Sequence, residues 1–567
     1  MDRTWRERLR SVVEDPSHLA LTLVIGATVG SAIVLFMVCT DRMHQLFFGP
    51  ATPVWLRPLV PALSALIAGY LLERVFPNAR GSGIPQAKAA LVAGGGFISL
   101  RTVIGKFFCC SLSLGGGVAL GREGPSVQIG AGIASVFARK AGLKKSDIQS
   151  LLPVGAAAAL ATAFNTPMAG VLFTMEELLG DLNARFLGSV VIGAAAAWMV
   201  LHLFLGDSPL FHVPAYTLVH PSEFFFYAVL GVLGGCVSAA FCFAILRLRV
   251  YYRRLPKWSI AFQPATGGLC AGLLALRSAE ILGAGYGAVE LALHGRIGGT
   301  EMLILMVLKL AATALCYSSG NAGGIFGPSL FLGAMLGGSA GSLVHSWFPA
   351  TTGPAGAYAL VGMGTTFAGI IRSPITSVVM IFELTRDYNI IVPLMISNLI
   401  SFAVARAIIR TPIYDALAIQ DGVHLPASKS HEEGPEHVVG DAMRSPALLL
   451  SPDTSVSAAR LLVPEGDCLV GRENPLTAIL RAPALEEALR KGHGNQMVSA
   501  LLKNTEVVTP PLLFPDQSAD LVLHYLGQAN LSVLPVVDRR DTSRVLGEVT
   551  LDDVLALYHG GRHPAQD

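Results

Sequence analysis

Charge is what this sequence has least of. Asp, Glu, Lys and Arg make up 14% of its 567 residues, where a soluble domain carries roughly 25%. The two signs nearly cancel, at a net +2, which leaves no basic surface for nucleic acid. The eight cysteines form no CxxC pair and the fourteen histidines show no ligand spacing, so no metal site is expected. Most cysteines lie within apolar runs (Cys109 and Cys110, for example) and read as small hydrophobes. The sequence also lacks a GxxxxGKS or GxxxxGKT loop and an HExxH pair. That excludes the usual apparatus of an ATP-driven pump and of a zinc hydrolase.

What fills the chain instead is apolar. Hydrophobic residues reach 52% and mean hydropathy is +0.56. Many of the 60 glycines sit inside apolar runs, a habit of membrane helices. The amphipathic start "MDRTWRERLRSVVEDPSH" is followed by no cleavage pattern, and Leu19 to Val38 is long enough to remain as a span. Arg3, Arg6, Arg8 and Arg10, with the basic breaks "RKAGLKK" (139–145) and "RLRVYYRRLPK" (247–257), are expected on the cytosolic side. The break at 206–222 has no Lys or Arg and is expected outside. The runs 186–206 and 222–246 read as simple spans. Those at 108–137, 153–175 and 322–345 are interrupted by Gly and Pro and suggest short or re-entrant helices.

The apolar region repeats itself. "TPMAGVLFTMEEL" at 166–178 matches "SPITSVVMIFELT" at 373–385, and the Gly-Pro-Ser at 124–126 recurs at 327–329. Two halves of about 200 residues share one plan, as in transporters that bind substrate between repeats. Three motifs, "GSGIP" (81–85), "GREGP" (121–125) and "GGIFGP" (323–328), place Gly and Pro where a helix starts. A helix start presents free N–H groups and a partial positive charge, which bind an anion without a full cation. Glycines that pack helices are the other reading of any one motif. Within "GREGP", a carboxylate, Glu123, stands in an apolar run, where a charge costs about 2.5–3.5 kcal/mol. Neighbouring Arg122 points about 100° away and makes a poor partner.

These three motifs, together with "AFNTPMAGVLFTMEE" (163–177) and "RTPIYDAL" (410–417), resemble in content and order the CLC family of chloride channels and chloride/proton antiporters. The resemblance implies an all-α polytopic membrane domain of two inverted helical repeats, over residues 1–420, with halves about 20–206 and 222–420. It implies a homodimer in the lipid bilayer with one anion path per subunit and no enzymatic activity. It assigns anion binding to Ser82, Gly83, Ile84, Gly124, Ile325, Phe326 and Tyr414. Glu123 becomes the gating and external proton glutamate, and Glu177 the internal one. A solvated helix end is the alternative for Glu177, since "GDLNAR" follows. Glu176 aligns with Glu383 and reads as structural. The serine at 82 and the intact "GREGP" favour chloride over nitrate or fluoride. Chloride/proton antiport is the expected function, with a passive voltage- or pH-gated chloride channel as the alternative. Lys106 is expected either to raise the potential along the path or to pair with a helix C-terminus or a carboxylate. Arg101, Lys309 and Arg372 are expected near helix ends, snorkelling. "GAGYG" (283–287) looks like a nucleotide loop only superficially, with no strand before it.

From 421 to 437 the chain reads as a polar linker, and 438–560 as a small soluble α/β domain resembling a CBS pair. The first copy, about 438–500, is degenerate; the second spans about 504–560. In that family a Thr and an Asp three residues on bind a nucleotide ribose, here Thr550 and Asp553. Arg481 and Ala484 stand in their place in the first copy. No cofactor is required on this reading, and at most one adenine nucleotide is expected.

Overall fold

The computed structural model describes residues 16–422 and 438–558, apart from 50–51, 93, 181–186, 208, 215, 217, 387, 445–447, 464–465, 472–475, 503–511, 518, 530, 539–540 and 542–543. The basic N-terminal residues and nearly all of the expected linker lie outside the described residues. The chain forms two compact units, 1–430 and 431–567.

The first unit is helical throughout. Its first half runs α1 (Pro16–Phe47), α2 (Leu56–Arg74), α3 (Ile84–Val92), α4 (Leu100–Gly115), α5 (Glu123–Lys140), α6 (Lys145–Phe164), α7 (Pro167–Phe173) and α8 (Leu187–Leu205). The second half runs α9 (Glu223–Arg253), α10 (Gln263–Leu274), α11 (Tyr286–Leu293), α12 (Gly299–Ser318), α13 (Phe326–Trp347), α14 (Ala355–Ile371), α15 (Pro374–Thr385) and α16 (Ile391–Ile408). A last short helix, α17 (Ile413–Gln420), closes the unit. Among the described residues, eight helical stretches are long and apolar enough to cross a membrane. The run at 322–345 is less interrupted than its glycines suggest: α13 continues unbroken for 22 residues.

The halves correspond helix for helix. α7 and α15 both begin with proline in the first turn, two residues after a left-handed residue, Asn165 (φ 59°) and Arg372 (φ 71°). Both halves also press an inner helix pair together at glycines. Gly130 on α5 meets the Gly155 backbone on α6, and Gly333 on α13 meets the Gly362 backbone on α14. A Cβ at any of the four would collide with the facing carbonyl, so only glycine permits this approach. α5, α13 and α14 are buried along most of their length. α1, α8 and α9 leave large apolar side chains exposed, such as Leu35, Leu203 and Phe243, as an outer layer facing lipid would.

The second unit opens with α18 (Val439–Ala442), followed by β1 (Leu449–Leu450), α19 (Val456–Leu462), β2 (Cys468–Gly471), β3 (Leu476–Leu480), α20 (Ala482–Arg490) and α21 (Val498–Leu502). It ends with α22 (Asp520–Ala529), β4 (Val533–Val537), β5 (Val545–Thr550) and α23 (Leu551–Tyr558). β2 and β3 pair antiparallel with β1 parallel beside them, and β4 pairs antiparallel with β5. Each antiparallel pair leads into a helix, β3 into α20 and β5 into α23, so one plan occurs twice despite the poor sequence match.

Candidate functional site in the membrane unit

Two motif loops meet at the centre of the first unit. Gly121 N–H donates to Gly324 O at 2.8 Å, and Gly324 N–H to Gly121 O at 2.7 Å. This exchange sets the start of α5 beside the start of α13. Glu123, the first residue of α5, is fully buried. Its carboxylate accepts from the Gly327 N–H at 3.1 Å, in the first turn of α13, and from the Tyr286 hydroxyl at the start of α11. An anion thus sits on a helix N-terminus, where free N–H groups and the dipole favour it. The sequence reading names Ile325 and Phe326 as the donors of this turn. Both are buried there, and the amide that holds Glu123 is the next one, Gly327. Arg122 turns away, as expected, and binds Asp41 at 3.1 Å while its guanidinium lies 5.3 Å from the Tyr286 ring centre.

Ser82 lies on the loop entering α3, and Tyr414 in the first turn of α17; both are fully buried. Neither hydroxyl has a hydrogen-bond partner among the described residues. An unsatisfied buried hydroxyl costs about 1–3 kcal/mol, so each of the two is free to donate to a bound group. Gly124 closes on both loops: a Cβ there would lie 2.8 Å from Ser82 Oγ and 3.4 Å from the Gly324 Cα. Phe326 fills the neighbouring space against Phe164, Phe173 and Phe367, with ring centres 4.8, 5.5 and 4.5 Å away. Ile84 begins α3 and is buried. Gly83 departs from its assignment, because its N–H donates to Gln86 Oε1 at 2.8 Å. A side chain three residues into the helix caps that amide, so it is not available to an anion.

The chain then separates its adjacent glutamates. α7 widens into a π-helical turn over Thr174–Leu179, a local distortion frequent at functional sites. Glu176 reaches the other half and accepts from the N–H groups of Ile375 and Thr376, at 3.3 and 2.9 Å, at the start of α15. Glu383 returns the contact to Met168 and Ala169 at the start of α7, at 2.9 and 2.7 Å. Each half therefore caps the other's short helix, which a local two-fold between repeats produces. Glu177 points inward and is buried, not solvated. It binds Lys88 Nζ at 3.2 Å, and the same ammonium binds Asp415 at 2.8 Å.

Two expectations about lysines need correction or choice. Lys309 does not snorkel. It is fully buried and donates to Ile281 O and Gly283 O at 2.8 and 2.6 Å. Hydropathy marks α12 as a span but does not tell its inner face from its lipid face. Lys106, also fully buried, pairs with a helix C-terminus and with no carboxylate: it donates to Ala79 O, at the end of the short 3-10 turn Pro77–Ala79, and to Gly81 O, at 3.1 and 2.6 Å. The two lysines hold equivalent loops, and "GAGYG" is therefore the counterpart of "GSGIP". The repeat offset carries that signal, and comparison with nucleotide loops hides it. Arg372 does sit at a helix end, capping α14 and donating to Ala405 O at 3.0 Å. Tyr286, Lys88 and Asp415 are site neighbours that the sequence reading does not name.

Two cavities approach this centre. One of about 790 Å³ reaches Gly81 and is lined by Arg80, Arg249, Arg253 and Lys257, against Asp421. The other, about 440 Å³, reaches Tyr286 and contains Asp41, His44 and Arg122.

Comparisons with known proteins place the family and the fold. The pattern described as voltage gated chloride channel matches residues 64–406. This chain belongs to that family. The H(+)/Cl(-) exchange transporter ClcA of Salmonella arizonae is 34% identical over 436 residues, covering 73% of this chain and 92% of the relative. The ClcA of Citrobacter koseri is 33% identical over 429 residues, 72% and 90% of the two chains. Among solved structures, a slow cyanobacterial Cl-/H+ antiporter aligns with TM-score 0.67 and 26% identity over 72% of this chain and 99% of that one. A eukaryotic CLC transporter aligns with TM-score 0.62 and 22% identity over 94% of this chain and 97% of that one, a likeness of fold. The fold is thus the mostly helical CLC fold of a multi-pass integral membrane protein. A CBS domain matches residues 505–560.

In that CBS region Thr550 precedes α23 and Asp553 lies in its first turn. Asp553 is 2% exposed. Its Oδ2 accepts from the Thr550 N–H and hydroxyl at 2.9 and 2.7 Å, and its Oδ1 from Arg444 Nε at 2.7 Å. This is a helix cap joined to an ion pair whose carboxylate is buried and whose Arg444 guanidinium side is half-exposed. These contacts engage the same Asp553 carboxylate that the expected ribose contact would use.

Proposed function

We propose that this protein exchanges chloride for protons across a membrane. The observation that carries the reading is the position of Glu123. Its carboxylate occupies donors at the start of α13 that suit an anion, and protonation removes the charge that holds it there. Chloride and proton then compete through one side chain. Ser82 and Tyr414 supply neutral donors for the anion beneath it, binding chloride without the grip of a full cation. The basic cavity that reaches Gly81 draws anions toward them. Glu177 is the second proton site, separate from the anion donors. The names of the curated relatives support exchange over passive conduction.

The proposal includes a homodimer with one path per subunit, cytosolic termini in a cell or inner membrane, and CBS copies at about 438–500 and 504–560. The test of exchange is uphill transport. In proteoliposomes, an outward chloride gradient is expected to drive proton uptake against a proton gradient. A chloride flux that never moves protons uphill would replace exchange by a channel.

A further inference from the structure

The buried carboxylate of Glu177 needs a route to water, and its surroundings contain one continuous line of polar atoms. Glu177 Oε1 lies 3.2 Å from Lys88 Nζ, which lies 2.8 Å from Asp415 Oδ1. Exposure rises along the line: the side chains of Glu177 and Lys88 are 7% and 9% exposed, and that of Asp415 is 22%. Asp415 is thus the member that meets solvent. It sits on α17, the last helix of the membrane unit, and Lys88 on α3. Glu176, the other nearby carboxylate, is committed to α15 and stands outside the line.

We propose that Asp415 and Lys88 form the inner proton relay that loads Glu177, an inference that rests on the exchange reading. Asp415 takes a proton from water, forming its carboxyl O–H. Lys88 then breaks one N–H bond as Glu177 gains an O–H, and the Asp415 proton restores the ammonium. No electron is transferred, and the net movement is one proton from solvent to Glu177. The relay also fixes where the proton path meets the anion path. Lys88 lies one turn along α3 from Ile84, just past the Ser82 loop, and Asp415 follows Tyr414 on α17.

Arginine separates a relay from a structural ion pair. Its guanidinium keeps the charge and can bridge both carboxylates, but it does not release a proton in a protein. In proteoliposomes of the full chain, Lys88→Arg and Asp415→Asn are each expected to lower proton transport about tenfold or more. Chloride flux persists in both and reports correct folding. Asp415→Glu is expected to retain proton transport. Proton flux at the level of the unsubstituted chain in Lys88→Arg or in Asp415→Asn overturns the relay. Glu177→Gln run alongside distinguishes the two failures. If it loses proton flux while Lys88→Arg keeps it, the relay alone is wrong; if it keeps proton flux, Glu177 is not the second proton site and the relay falls with that assignment; if the unsubstituted chain moves no protons, the exchange reading itself is wrong.

Discussion

At the scale of residues, the account depends on what holds the Glu123 carboxylate. Two donors are visible, the Gly327 amide and the Tyr286 hydroxyl. A hydrogen bond to a charged group contributes about 1.5–3 kcal/mol. Tyr286→Phe removes one such bond from the docked, ionised form only. The docked gate is therefore disfavoured, and chloride flux at neutral pH is expected to rise about tenfold, with its acid activation shifted toward higher pH. Flux measured across a pH series checks this, and an unchanged profile would remove Tyr286 from the gate. Glu123→Gln has a stronger expected effect: chloride flux independent of pH and no coupled proton movement, read in the same assay. Glu123 itself is legible in the sequence because a charge in an apolar, glycine-rich run demands a reason. Tyr286 is not, because a tyrosine among apolar residues is ordinary and its partner lies 163 residues away. Gly83 fails for a local reason, the competing acceptor three residues along the helix.

At the scale of elements, the repeats decide which helix starts face one another. Capping of α15 by Glu176 and of α7 by Glu383 ties the halves together. Loss of such a cap costs about 0.5–2 kcal/mol. Glu176→Gln and Glu383→Gln are each expected to lower the thermal unfolding midpoint in detergent while leaving the proton-to-chloride ratio intact. A changed ratio in Glu176→Gln would mean that Glu177 is not the separate proton site. The buried lysines act on loops in the same way. Lys309→Met leaves the carbonyls of Ile281 and Gly283 without their donor, at about 1–3 kcal/mol each. A clear fall in the unfolding midpoint is expected, and none would show those carbonyls to be satisfied elsewhere. The matched segments at 166–178 and 373–385 make the repeat visible in sequence. Which face of α12 carries Lys309 inward is not visible, since its few polar residues are scattered and form no continuous polar face to orient it.

At the scale of the whole molecule, the order of the five motifs places the fold, because each motif starts or ends a helix. The division into a membrane unit and a C-terminal α/β unit follows from the change of composition near residue 421. In the C-terminal unit Thr550 and Asp553 make a helix cap, and a Thr and an Asp at that spacing serve a cap or a nucleotide alike, two uses that sequence does not tell apart. Within the membrane unit, a basic cavity reaches Gly81, next to Ser82, and a smaller cavity reaches Tyr286, which binds Glu123; on the proposed function these form one arrangement for moving an anion past a carboxylate. The most direct test of that arrangement is the reversal potential at fixed chloride as a proton gradient is imposed. A shift with the proton gradient, lost in Glu177→Gln, is the expected result; a reversal potential set by chloride alone would contradict the account.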